Sequence, residues 1–503
     1  MKPVFPRIAA WTVGLAAALV LAGCASLPKP EPAPVAAAAV APPAWQAPLP
    51  HDGQLTELAR WWQQFNDPVL SLLIESAQAV NPSIAAAKSR IEQSRATGVA
   101  AQAALGPTLN ANASASRGRQ DLSVPVGTSL SAGLQAGWEL DVFGGARAGR
   151  DAAQARLDGA SAAWHDARVS VAAEVASQYT ALRACEAQVA QTQLDAGSRA
   201  ETSRLTELAA KSGFQAPANA ALARASAAQG NSLLTQQRAQ CELAVKALVA
   251  LTGIDEPALR TRLAETSAKL PQPAQIAIRR VPADALAQRP DLYAAARDVM
   301  AASADVAQSS AQRFPRISLN GSIGAARFSS GAGTLDGTVW SLGPVSVSLP
   351  LFDGGIRRAN VEAARARHDE ANAAYAARLR GAVREVEEAL IALKSTADRN
   401  ADAVVATEGF GASYVAAQAR YQGGLASLFE LEDARRTAVQ AQSALIELQR
   451  ERVAAWISLY RALGGGWSVE LLNSSTSEAP RAQRAAEEQQ TSLRASVPSA
   501  ALR

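Results

Sequence analysis

The densest run of side chains able to do chemistry is Phe429-Glu430-Leu431-Glu432-Asp433-Ala434-Arg435-Arg436. Its carboxylates and guanidinium groups can pair, attract cations and hold surfaces together by charge. None of them is an activated nucleophile. Phe429, Asp433 and Arg436 follow i, i+4, i+7 spacing, so in a helix they share one face. A solvated charged face is the other meaning such a run can have. The cysteines fall into two groups. Cys24 closes Leu21-Ala22-Gly23-Cys24, which resembles a bacterial lipobox, in which the thiol is acylated; an ordinary signal peptide with a chance cysteine is the alternative. Cys185 and Cys241 stand 28 residues to either side of Gly213. In an antiparallel hairpin turning there, equal arms bring them to one height, where an oxidising compartment permits a disulfide. Two buried thiols acting as small apolar side chains are the alternative. His51, His165 and His368 are too dispersed for a local metal site, and no Gly-x-x-x-x-Gly-Lys-[Ser/Thr] loop occurs. No metal, cofactor or enzymatic activity is expected. A net charge of +4 over 503 residues, with no basic block, also argues against nucleic acid.

Several kinds of element must position these residues. Lys2 and Arg7 precede an apolar stretch, Ile8 to Val20, too short to span a bilayer, so residues 1–23 read as a lipoprotein signal peptide. Ala25 and Ser26 follow Cys24, and the absence of Asp there favours the outer membrane. Eight prolines in 25–50 make 24–54 an extended tether. Strict alternation follows: Leu130, Ala132, Leu134, Ala136, Trp138, Leu140 and Val142 on one face, Ser131, Gln135 and Glu139 on the other. Strands are expected over about 107–117 and 129–143, and again over 314–328 and 339–352. Trp340 and Leu342 have the wrong parity for Val345 and Val347, which a bulge near Pro344 would correct. Four amphipathic strands cannot close a barrel, and lipid forbids an open edge, so strands in a membrane require several chains.

Helices fill the remainder. Gly144 to Gly213 holds no proline and would span about 100 Å as helix. The expected return leg is split between 218–252 and 283–313. A second hairpin is expected over about 355–463, after the first over 144–252. The chain repeats itself: Pro107 to Pro315 is an offset of 208, Phe143 to Phe352 of 209, and Gly213 to Gly423 of 210. The repeats are placed at 55–280 and 281–467, with a disordered tail over 468–503.

Together these segments resemble the outer-membrane efflux proteins of the TolC type, in their lipoprotein branch. The resemblance rests on Trp61-Trp62-Gln63-Gln64-Phe65-Asn66-Asp67-Pro68, Gly137-Trp138-Glu139-Leu140-Asp141-Val142-Phe143-Gly144 and Gln288-Arg289-Pro290-Asp291-Leu292. It continues in Phe314-Pro315-Arg316-Ile317-Ser318-Leu319, Leu349-Pro350-Leu351-Phe352-Asp353-Gly354-Gly355 and Leu459-Tyr460-Arg461-Ala462-Leu463-Gly464-Gly465-Gly466-Trp467. It implies a mostly α fold with a small β part. In that fold three chains form a twelve-stranded transmembrane β-barrel, four strands each, continuous with a long periplasmic α-helical barrel. The implied function is the outer-membrane channel of a tripartite efflux system. Its implied partners are a periplasmic adaptor, an inner-membrane pump of the resistance-nodulation-division type and outer-membrane lipid. A type I protein-secretion conduit of the same architecture and a non-channel structural lipoprotein are the alternatives. By the same resemblance Phe429, Glu430, Asp433 and Arg436 take periplasmic gate positions, and Gly213, Gly423, Gly424 and Leu425 lie at adaptor-docking tips. Phe429 stands where a smaller aliphatic side chain is the family's habit, and Phe214 and Pro217 depart from its usual first-tip turn.

Overall fold

The computed structural model describes residues 58–119, 126–272, 286, 289–331 and 333–467. Cys24, the signal segment, the tether and the 468–503 tail lie outside the described residues. In chain order the main elements are α1 (Pro68–Val80), α2 (Pro82–Ala103), β1 (Thr108–Gly118), β2 (Gly127–Leu140), α3 (Gly145–Lys211) and α4 (Pro217–Thr252). There follow α5 (Glu256–Ala264), α6 (Pro290–Ala311), β3 (Arg316–Ser330), β4 (Gly333–Ser348), α7 (Ile356–Gln422) and α8 (Leu428–Ala462). Two compact units emerge. One is built on Ala100–Ala152 and Val299–Glu370, the other on Ala38–Val99, Ala153–Asp298 and Ala371–Arg503 so far as these are described.

The first unit carries an antiparallel sheet in the order β1-β2-β3-β4. Because side chains alternate across a strand, pairing fixes what each face shows. One face collects Leu134 opposite Ile323, Trp138 opposite Leu319 and Ile323 opposite Trp340. The other is a ladder of amides and hydroxyls: Asn112 donates to Gln135 at 3.2 Å, and Ser114–Ser131, Ser318–Ser346 and Ser322–Ser341 pair at 2.7, 2.6 and 2.9 Å. The register shifts where Leu319 faces Val345 but Gly321 faces Leu342, so Gly343 and Pro344 together oppose Asn320. This bulge brings Trp340 and Leu342 onto the face of Val345 and Val347. The fourth strand starts at Gly333, earlier than its apolar alternation suggests, because the ladder to β3 carries it to the turn. It stops at Ser348, since Pro350 has no N–H to donate.

Each strand pair hands over to a long helix through an aspartate. Asp141 accepts from the backbone N–H of Ala146 and Arg147 at 3.0 and 2.9 Å, opening α3. Asp353 accepts from those of Gly355 and Arg357 at 2.9 and 3.3 Å, opening α7. Negative charge there complements the helix dipole.

The second unit holds the main apolar core, with Leu70, Leu73, Leu182, Leu248, Leu390 and Leu459 almost fully buried. Trp61 lies 5.9 Å from the Trp456 ring and Trp62 lies 4.6 Å from Tyr460, which fastens the first described residues to α8. Asp67 caps α1 through Val69 and Leu70 at 3.0 and 3.1 Å and accepts from the Tyr179 hydroxyl at 2.6 Å. Burial and this bond to Asp67 push the phenol up to about 12.

The repeat is explicit in the element lengths. A 22-residue helix leads into each strand pair, α2 in one copy and α6 in the other. Helices of 67 residues, α3 and α7, leave the sheet, and helices of 36 and 35 residues, α4 and α8, return. The 283–313 leg is helical over Pro290–Ala311, and it stands to β3 as α2 stands to β1. Cys185 and Cys241 are bonded between α3 and α4, with Cα atoms 5.6 Å apart.

Candidate gate and docking tips

Both hairpin tips use one backbone device. At the end of α3, Gly213 is left-handed at φ 79°, and the Phe214 N–H reaches back to the Ala209 carbonyl at 2.8 Å. At the end of α7, Gly424 takes φ 73°, and the Leu425 N–H reaches the Arg420 carbonyl at 2.8 Å. This is the Schellman ending, which needs φ > 0 at one residue and so favours glycine. The glycine equivalent to Gly213 is therefore Gly424; Gly423 keeps an ordinary φ. The motif leaves Phe214 and Leu425 pointing outward, 86% and 76% exposed.

Beyond the second tip, Ser427 caps α8 by accepting from the Glu430 N–H at 3.1 Å. Phe429, Asp433 and Arg436 then line one groove, together with Asp195, Arg199 and Ser226 of the first hairpin. Asp433 pairs with Arg436, and both side chains are well exposed. Phe429 is 75% exposed. Glu430 turns away from this set and pairs with Arg420 of α7 at 2.7 Å, across the tip.

A buried charge lies one residue from those the spacing singled out. Leu428, Leu431 and Arg435 form a single buried stripe, so an arginine occupies a core position. Arg435 pairs with Glu432, donates to Thr202 and Ser198 of α3 at 2.8 and 3.3 Å, and lies 5.7 Å over the Tyr414 ring of α7. Glu432 also accepts from Ser226 of α4 at 2.8 Å. Arg199 donates to that same serine at 2.9 Å and to Asp195 at 2.8 Å. Two tyrosines of α7 complete the clasp: Tyr414 with Ser198 at 2.6 Å and Tyr421 with Thr206 at 2.8 Å. The two hairpins are thus stitched together near their tips by a largely buried polar network. Following the apolar stripe of α8 from 428 through 431 to 435 would have found its centre in the sequence.

The whole arrangement, a repeated strand pair and helical hairpin, has known counterparts. The profile of the outer membrane efflux protein family matches residues 73–254 and again 281–465. The chain belongs to the outer membrane efflux protein family. Outer membrane protein OprJ of Pseudomonas aeruginosa is 31% identical over 90% of this chain and 94% of its own length. Pyoverdine export outer membrane protein OpmQ of Pseudomonas putida is 30% identical over 86% of this chain and 93% of its own. Among solved structures, the outer-membrane channel OprN aligns with a TM-score of 0.77 at 28% identity, covering 85% of this chain and 98% of OprN. The fold is TolC-like, and the protein is an outer-membrane channel component of a tripartite efflux system, not an enzyme. In such an efflux protein the groove of Phe429, Asp433 and Arg436 has no catalytic work to do. Among the described residues no group of three or more His, Cys, Asp or Glu could hold a metal ion.

Proposed function

We propose that three copies of this chain assemble into one conduit, anchored in the outer membrane through an acylated Cys24. The observation that carries this reading is the sheet itself. It ends in two edges, β1 and β4, while Trp340, Leu342 and Val345 stand 73%, 82% and 62% exposed on one face. An apolar face suits lipid, and lipid tolerates no unpaired edge, so strands of neighbouring chains must supply the missing partners. The amide and hydroxyl face then lines the passage.

In this reading Phe429, Asp433 and Arg436 of three copies ring the periplasmic end and keep it shut at rest. Glu430 acts beside them by tying α8 to α7. The Gly213, Gly423, Gly424 and Leu425 tips present the surface that meets a periplasmic adaptor, with a resistance-nodulation-division pump behind it. The Cys185–Cys241 bridge holds the first hairpin. A passive tube takes the cargo its pump delivers.

Single-channel recording of the purified, lipidated protein in planar bilayers tests the reading. Discrete, cation-preferring steps are expected, with larger steps for Asp433→Ala. A membrane that stays silent for both proteins, with inserted trimer verified, would end it.

A further inference from the structure

The amide and hydroxyl face of the sheet is not polar along its whole length. Its β3 residues are Ser318, Asn320, Ser322, Gly324, Ala326 and Phe328; its β4 residues include Ser346, Ser341, Val339, Gly337 and Leu335. Phe328 and Leu335 are directly paired, and Val339 stands opposite Gly324. On the reverse face at the same level, Arg327 pairs in register with Asp336. The two faces therefore exchange character near the β3–β4 turn. On β3 and β4 the face that is apolar elsewhere becomes charged and the polar one becomes apolar, while Ser129 and Ser116 keep hydroxyls at that level on β2 and β1.

Lipid cannot explain Phe328, Leu335 and Val339, because they project from the face opposite Trp138, Trp340 and Leu342. Nor do they pack into a core of their own chain, for Leu335 is 76% and Val339 56% exposed. Phe328 is held in place: a Cβ on Gly127 would lie 2.5 Å from its Cζ, so the glycine leaves the room the ring occupies. In a passage built from three copies of this sheet, they would stand as three apolar patches at one level of its wall.

We propose that Phe328, Leu335 and Val339 form an apolar collar inside the barrel, at the end remote from the helices, and that it sets which cargo passes. Apolar side chains on the wall of a water-filled passage hold water poorly and so slow hydrated ions, while apolar and amphiphilic solutes gain contact there. The proposal rests on the reading of this face as the wall of a passage. It adds a second barrier, far along the chain from Asp433.

The test compares single-channel conductance in potassium chloride for the parent, Asp433→Ala, Phe328→Ser/Leu335→Ser and the near-isosteric Val339→Thr, all as full-length trimers. Val339→Thr keeps a β-branched side chain and so protects the comparison if the double variant does not assemble. The collar predicts steps about twofold larger in the double variant and a smaller rise in Val339→Thr. It also predicts that Phe328→Ser/Leu335→Ser and Asp433→Ala together exceed either alone. Parent-sized steps in both collar variants, with no rise over Asp433→Ala when the collar and Asp433→Ala changes are combined, would overturn the collar and leave the conduit standing. Silence from every protein, with insertion verified, would overturn the conduit and the collar with it.

Discussion

A guanidinium only 1% exposed needs several partners, and Arg435 has them on two other helices. Removing one member of a buried ion pair costs more than the pair itself contributes, because the survivor is stranded without water. Arg435→Ala should destabilise the joint between the hairpins by about 3–5 kcal/mol, read in denaturant unfolding. The double variant Arg435→Ala/Glu432→Ala should lose less than the two single losses summed, since no charge is then stranded. His165 gives a pH signature. Burial, with Arg168 adding repulsion, lowers its imidazole from 6.5 to about 4. The unfolded chain therefore takes up a proton that the folded chain refuses, and stability falls as pH drops from about 6.5 to about 4. His165→Phe should flatten the decline of Tm across that interval, which thermal melts at several pH values would show. Legibility at this scale had a clear limit. The spacing of Phe429, Asp433 and Arg436 is visible in the bare sequence, whereas Arg435 hides within the same charged run. Its role comes from the apolar stripe it interrupts.

For single elements, what was readable depended on whether a face was imposed by its surroundings. The strands announce themselves because one side is apolar and the other hydroxylic, and the misfit parity of Trp340 located the bulge beside Pro344. The helix α2 gave no such sign. It is rich in Ala, and only Ile84 and Ala87 are buried, so nothing periodic marks it. The short α5 escaped for a related reason, since two buried leucines, Leu259 and Leu263, make too small a pattern. The tips are sharper predictions. Gly424→Ala forces an L-residue to φ 73° and should cost about 1 kcal/mol, while Gly423→Ala should cost far less. Urea titration of the two variants would compare them. Loss of the Cys185–Cys241 bond in a Cys185→Ser/Cys241→Ser variant should cost about 2–4 kcal/mol. Two reactive thiols in the denatured, unreduced parent would show that no such bond forms.

Across the whole molecule the governing fact is duplication. One pattern of helix, strand pair, 67-residue helix and shorter returning helix is laid down twice. The sequence offsets revealed the duplication because glycines, prolines and the Phe-Gly turns recur where the backbone needs them. They also put 283–313 in the first hairpin's return leg, and α6 does lie along α3, where a Cβ on Gly149 would meet Gln308 and one on Gly159 would meet Arg297, while it leads into β3 as α2 leads into β1. Cysteines placed singly on β1 and on β4 should cross-link between chains and not within one, which electrophoresis without reductant would reveal. The two copies differ in how their hairpins are braced. The first hairpin has a covalent rung between α3 and α4 at Cys185 and Cys241. At nearly the same height the second has Arg399 and Glu451, a pair 2.6 Å apart with both side chains well exposed to water. A covalent rung resists lengthwise shear between its two rods, but an ion pair can let go and re-form with little resistance. Mechanical compliance is therefore distributed unequally between two otherwise matching halves, and under axial load the second hairpin yields before the first.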